Sequence, residues 1–321
     1  MTAINPEPAR LEPRPTGFID PAALMAIRSL ELRARAVMQG FMTGLHRSPY
    51  HGFSAEFTEY RQYSPGDDPR HLDWRVFARS DRFFIRKFED ETNLRCHMAV
   101  DQSRSMDCGS LPWTKAHYAA TLAATLGLFL YRQGDATGLL SFDDRIRDWL
   151  PARHRPGHLR QIMLALEKPA GGAATDLTAP LQRLVEIVRK RGLMVLISDF
   201  LAPIERLEHC FSQIGACGHE VTVFQVLDPS EAAFDFSAEV LFEDAETGRT
   251  LFIDPAAARS RYLEKLAAHE HSLRAVCMKL GIGFTRVLTN EPLERALAGF
   301  LRERARRGRP VRRAAQPGGR A

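Results

Sequence analysis

Cysteine is scarce and never paired in sequence. Cys96, Cys108, Cys210, Cys217 and Cys277 are an odd five, with no Cys-x-x-Cys. That excludes a disulfide framework or a zinc knuckle and fits a reducing, cytoplasmic compartment. Long hydrophobic runs are also missing. The longest uncharged, mostly apolar stretch, Ala116 to Tyr131, has sixteen residues, short of the roughly 18 to 20 that cross a bilayer, and reads as a buried helix. The N-terminus carries Pro6, Pro8, Pro13, Pro15 and Pro21 among charges rather than the apolar core of a signal peptide. No direct membrane span is therefore expected. Absent too are Gly-x-x-x-x-Gly-Lys-Ser/Thr, Gly-x-Gly-x-x-Gly, Gly-x-Ser-x-Gly and His-Glu-x-x-His, which sets aside phosphate-loop ATPases, dinucleotide enzymes, serine hydrolases of that type and zincins.

What is there is globular. Hydrophobic residues make up 45% and charged residues 26% of 321, far from disordered composition and enough for one large domain or two small ones. The net charge of +5 is unevenly placed. Residues 302–321 hold eight Arg and one Glu, a local +7 that leaves the rest of the chain at −2. With Gly308, Pro310, Pro317, Gly318 and Gly319, this segment reads as a disordered Arg-rich tail, a solvated terminus or a point of phosphate attraction.

Residues 1–20 read as a disordered N-terminal segment. Apolar positions from Pro21 to Leu45 recur at helical spacing, with Asp20 before Pro21 as an N-cap. Residues 21–92 join this helix to a small β-rich lobe. There the aromatic and charged texture from Gly52 to Glu91 surrounds the turn Ser64-Pro65-Gly66-Asp67-Asp68-Pro69. Its seven basic and nine acidic residues give no basic groove, so no specific nucleic acid is expected. Residues 93–301 alternate apolar strands with helices: strands at 94–100, 137–142, 146–150, 193–197, 221–227, 239–242, 250–253 and 283–288, and helices at 114–131, 158–167, 177–190, 203–214, 255–280 and 291–304. The expected fold is α/β, a mostly parallel sheet with helices on both faces.

In such sheets ligands collect where strands end. One strand ends in Asp101-Gln102-Ser103-Arg104-Ser105, a carboxylate and two hydroxyls on one tight loop. Hard oxygens of this kind suit Mg²⁺ or Mn²⁺. A later strand ends in Ser198-Asp199, and between them Gly171-Gly172-Ala173-Ala174-Thr175-Asp176 can bring the Thr175 hydroxyl to the same edge. The alternative is an Asx/ST turn capping the next helix. Asp176 is either a helix cap or a supporting acid. Cys210 and Cys217 read as buried apolar residues, and His154 and His158 as solvated.

Asp101, Ser103, Ser105, Thr175 and Asp199 resemble the metal-ion-dependent adhesion site of von Willebrand factor type A domains. That resemblance implies direct coordination by the hydroxyls of Ser103, Ser105 and Thr175, carboxylates acting directly or through water, and one position left for a partner's carboxylate. The segment Glu59-Tyr60-Arg61-Gln62-Tyr63-Ser64-Pro65-Gly66-Asp67-Asp68-Pro69-Arg70-His71-Leu72-Asp73-Trp74-Arg75, with Ala78-Arg79 and Arg86-Lys87-Phe88-Glu89, is similar to the bacterial domain-of-unknown-function 58 family. In that family it precedes a von Willebrand A-like domain. The resemblance implies partnership with a MoxR-type AAA+ ATPase. Many members carry N-terminal transmembrane helices, which are not seen here.

The function expected from these features is non-enzymatic. The chain would be a cytoplasmic adaptor whose Mg²⁺ (or Mn²⁺ or Ca²⁺), held by Asp101, Ser103, Ser105, Thr175 and Asp199, binds an acidic residue of a protein partner. The alternatives are a Mg²⁺-dependent phosphoester hydrolase, for which Asp107 or Asp176 would have to serve as base, and a nucleic-acid-associated protein acting through the Arg-rich tail.

Overall fold

The computed structural model describes residues 18–47, 60–62, 84–86, 94–171, 177–234, 240–243, 250–253 and 255–307. The central strand, β3 (Arg95–Asp101), is buried at every position after Arg95, as a strand covered on both faces requires. On one face Cys96, Met98 and Val100 pack with helices α2 (Leu30–Arg47), α3 (Lys115–Arg132), α4 (His158–Leu166) and α9 (Leu293–Arg307). On the other, Ala99 packs with α5 (Thr178–Ile187), α6 (Ile204–Ala216) and α8 (Pro255–Lys279).

The sheet has six strands in the order β10-β7-β6-β3-β4-β5, where β4 is Ala136–Phe142, β5 Ile146–Arg153, β6 Leu193–Ser198, β7 Glu220–Leu227 and β10 Gly283–Leu288. All neighbours are parallel except β5, which runs antiparallel to β4. After β3 the chain builds outward through β4 and β5, then returns to β3's other side for β6 and β7. Strand order therefore reverses between β3 and β6, and the crevice outside their carboxyl ends is the natural ligand position of an open α/β sheet.

Two antiparallel pairs stand apart from this sheet: β1 (Tyr60–Gln62) with β2 (Phe84–Arg86), and β8 (Val240–Glu243) with β9 (Thr250–Ile253). The motifs Gly66-Asp67-Asp68 and Asp73-Trp74-Arg75 lie outside the described residues.

Three expectations are corrected. The helix read from Pro21 to Leu45 is two, α1 (Pro21–Met25) and α2, because Ser29 starts a new helix. Its hydroxyl accepts from the Leu32 amide at 3.4 Å and its carbonyl from Arg33, while the Leu30 amide is taken by Glu167. The last helix begins at Leu293 and continues to Arg307, so residues 302–307 of the expected tail are helical. Burial of Phe300 and Leu301 and an Arg304–Glu220 ion pair at 3.6 Å anchor that turn to the sheet. At the other end, Phe18–Asp20 are described, and the Ile19 amide donates to Glu294 Oε1 at 3.0 Å.

Candidate functional site

β3 and β6 deliver their terminal residues side by side, since Val100 is in register with Ile197. Asp101 is fully buried. Its Oδ1 accepts from the Ser103 amide at 2.9 Å and its Oδ2 from the Ser198 hydroxyl at 2.6 Å. The first of these closes an Asx-type turn, which swings Ser103 and Ser105 so that their hydroxyl oxygens lie 3.1 Å apart. Burial, and after it the charge of Asp199, push the Asp101 carboxyl well above the usual carboxylate range against the hydrogen bonds from Ser198 and Ser103.

Asp199 follows β6 and is held from several sides. Its carbonyl accepts from Gln225 Nε2 at 3.1 Å, and its Oδ1 from the Leu201 amide at 3.3 Å. Its Oδ2 meets the Lys115 ammonium at 3.0 Å, and Lys115 reaches Glu231 Oε1 at 2.6 Å on its other side. Burial works against the Lys115 charge, but the carboxylates of Asp199 and Glu231 outweigh it and raise its pKa above the ordinary lysine value. The next residue, Phe200, has φ +53°, an uncommon backbone state for a non-glycine residue. Its ring packs edge-on against Phe211, and its carbonyl accepts from His269 Nε2 at 2.8 Å.

A second carboxylate network borders the first. Asp228 follows β7 and caps α7 (Pro229–Ala233), with Glu231 completing a capping box by accepting from the Asp228 amide at 2.9 Å. The Asp228 carboxylate collects the amide and hydroxyl of Ser110, the amide and hydroxyl of Ser230, and the Thr289 hydroxyl. Burial alone would raise its pKa, yet these bonds depress it. The loop from Cys108 to Thr114 is thereby pinned over the end of β7. Gly109 is required there, because a Cβ would lie 2.6 Å from the Trp113 carbonyl oxygen.

Asp101, Ser103, Ser105 and Asp199 are thus drawn to one edge of the sheet. Thr175 and Asp176 lie outside the described residues; the Gly171 amide, four residues before Thr175 in sequence, donates to the Gln102 carbonyl at 3.1 Å. Asp107 sits in a short 3-10 turn, Arg104–Asp107, and is exposed. Among the described residues no group of three or more His, Cys, Asp or Glu converges as metal ligands. Any ion at Asp101 would therefore draw on hydroxyls as well as carboxylates. A buried carboxylate with two hydroxyls gathered beside it, and no cation paired with it among the described residues, is a donor set that fits a hard divalent ion.

Sequence reasoning missed Lys115, Glu231 and Asp228. Two bland expectations are also corrected. Cys210 is buried as expected but Cys217 is exposed, because it falls at the helix end beyond Ala216. His158 is buried rather than solvated, with its Nε2 on the Thr137 carbonyl at 2.9 Å, while His154 remains exposed against Tyr131.

Fold and site together define an α/β protein with a mostly parallel sheet and a polar, carboxylate-bearing switch point. A family described as "Protein of unknown function DUF58" matches residues 59–272, and the chain belongs to that family. An uncharacterized protein of Mycobacterium tuberculosis is 31% identical over 293 residues, covering 89% of this chain and 91% of the relative. An uncharacterized protein of Mycobacterium avium is 29% identical over 155 residues, 48% of this chain and 90% of that one. Among solved structures, an aerotolerance-related membrane protein from Bacteroides fragilis aligns over 66% of this chain and 99% of its own, at 17% identity and a TM-score of 0.43. Among the described residues no helix is long and apolar enough to cross a membrane.

Proposed function

We propose that this protein is a metal-dependent interaction module, not an enzyme. In this reading it is a cytoplasmic adaptor whose divalent ion, Mg²⁺ or alternatively Mn²⁺ or Ca²⁺, bridges the sheet edge to an acidic residue of a partner protein. Asp101, Ser103 and Ser105 would hold the ion, with Thr175 completing the set and Asp199 orienting a bound water, as in the von Willebrand A-type adhesion site that these residues resemble. The observation that carries this reading is the Asp101 environment. A fully buried carboxylate with no cation paired to it among the described residues is costly, and the two hydroxyls 3.1 Å apart beside it offer the remaining oxygen ligands.

The surroundings suit an acidic partner. A cleft of about 450 Å³ is lined by Arg145, Ile146, Arg147, Asp148 and Lys168. Arg147 donates to the Pro169 carbonyl at 2.9 Å, two residues before Gly171, whose amide bonds to the Gln102 carbonyl. Of its basic side chains Lys168 is paired with Asp148, and Arg147 with Asp143 at 3.6 Å, so the attraction of a partner's carboxylate would fall mainly to Arg145. The partner best matched by the family resemblance is a MoxR-type AAA+ ATPase, which would supply the nucleotide chemistry that this chain's motifs do not.

The hydrolase alternative has less to stand on. A metal-activated water needs a base within reach, and Asp107 is exposed in its own turn.

Isothermal calorimetry with Mg²⁺ and Mn²⁺ tests the site. Saturable binding by the wild type and none by Asp101→Ala is expected; equal heats from both would sink the assignment. Affinity purification with and without chelator then tests the partner, with an AAA+ ATPase lost on chelation as the expected result.

A further inference from the structure

Two carboxylates end neighbouring strands at this edge, and they are treated differently. Asp199 already has a cation, Lys115; Asp101 has none among the described residues. Lys115 is also placed against local electrostatics. It is the first residue of α3, where the helix dipole disfavours positive charge, and it is buried to 1% exposure. Only strong compensation keeps an ammonium there, and Asp199 and Glu231 supply it at 3.0 and 2.6 Å.

We infer that Lys115 is an internal competitor that sets the ion affinity of the site, with Glu231 as its counterweight. The inference rests on the metal-site reading above. An ion bound through Asp101, Ser103 and Ser105 must share the field of Asp199 with an ammonium already on that carboxylate, and in a buried setting the two cations repel. Lys115 can relinquish Asp199 only because Glu231 holds it from the other side. Glu231 is itself fixed, its Oε2 accepting from the Asp228 amide at 2.9 Å. The site is thereby kept weak until a partner's carboxylate adds the negative charge that the ion lacks. Metal and acidic partner bind cooperatively, each poorly without the other.

This arrangement assigns opposite signs to two substitutions. Lys115→Met removes the competitor and tightens ion binding. Glu231→Gln leaves an amide that still accepts the Asp228 bond but no longer shares the lysine charge, so Lys115 rests on Asp199 alone and ion binding weakens.

The experiment uses the full chain and Mn²⁺ alone, followed by calorimetry and by the electron paramagnetic resonance signal of free Mn²⁺, with circular dichroism to confirm folding. Lys115→Met is expected to bind on the order of tenfold more tightly than wild type, Glu231→Gln several-fold more weakly, and Lys115→Arg like wild type. If Lys115→Met binds no more tightly while Asp101→Ala abolishes binding, the competitor role is overturned and the metal site stands. If wild type is silent and Lys115→Met binds, the competitor role is supported in its strongest form. If neither binds, the metal-site reading fails and takes this inference with it. Should Lys115→Met not fold, Glu231→Gln decides: binding equal to or tighter than wild type overturns the inference.

Discussion

The Lys115 ammonium lies 3.0 Å from the Asp199 carboxylate, with the two side chains 1% and 2% exposed. A buried pair of this kind contributes little net stability relative to apolar residues, but losing one partner strands the other. Lys115→Met should therefore destabilise the ion-free protein by about 3 to 5 kcal/mol. Adding Asp199→Asn on the same background should recover part of that loss, since the stranded charge is gone. Urea unfolding of the two singles and the double gives the coupling directly. Additive losses would mean that the pair is not an interacting unit.

Strand-terminal Asp101 and Asp199 were legible because strands buried on both faces are unbroken apolar runs, and a carboxylate closing such a run stands out. The βαβ rhythm followed from the same contrast. The break between α1 and α2 was not legible, because one of its ties is the long-range bond from the Leu30 amide to Glu167. Lys115 escaped notice because motif reasoning looks for ligand spacing, and its partners lie far along the chain, just after β6 and in α7. A signal did exist, namely a lysine at the first turn of an otherwise apolar helix, against the helix dipole. Asp228-Pro229-Ser230-Glu231 likewise has the spacing of a capping box with proline at the first helical position. Read that way, it would have revealed α7 and the Glu231 that faces Lys115.

Asp228 fastens three elements through one carboxylate: the Ser110 loop, the start of α7, and Thr289 beyond β10. Asp228→Asn keeps the shape but loses the charge that strengthens those bonds, at an expected cost of about 2 to 3 kcal/mol. The pH dependence follows from the depressed pKa. The charged form is favoured in the fold, so the contribution is complete above the unfolded value of 3.8 and disappears as pH falls through the lower folded value. The stability gap between wild type and Asp228→Asn should be constant near neutrality and close only in strong acid. A gap unchanged down to that range would contradict the charge-based account.

His97 sits in β3 with its ring stacked on Trp149, centroids 5.5 Å apart and planes within 10°. Burial first, then the neighbouring charges of His219 and Arg95, lower its pKa from 6.5 to about 4. Between those values the unfolded chain takes up a proton that the folded chain refuses, so this group makes the fold less stable as pH falls from 6.5 toward 4. His97→Phe keeps an aromatic stack and removes the titration. Its melting temperature relative to wild type should rise steadily across that window, and a flat difference would show that His97 titrates normally.

The raised Asp101 pKa has a consequence for the metal reading. An ion can take this carboxylate only as the anion, so wherever Asp101 still carries its proton, ion binding must release it. Mn²⁺ affinity should therefore weaken as pH falls below neutrality. Calorimetry at slightly acidic pH in buffers of different ionisation enthalpy should show heats that scale with the buffer, the mark of a released proton. Asp199 is close enough to contribute to that shift, so Asp199→Asn should lower the Asp101 pKa and shrink the buffer-dependent heat at the same pH. Buffer-independent heats in the wild type, with Mn²⁺ binding intact, would place the ion somewhere other than on Asp101.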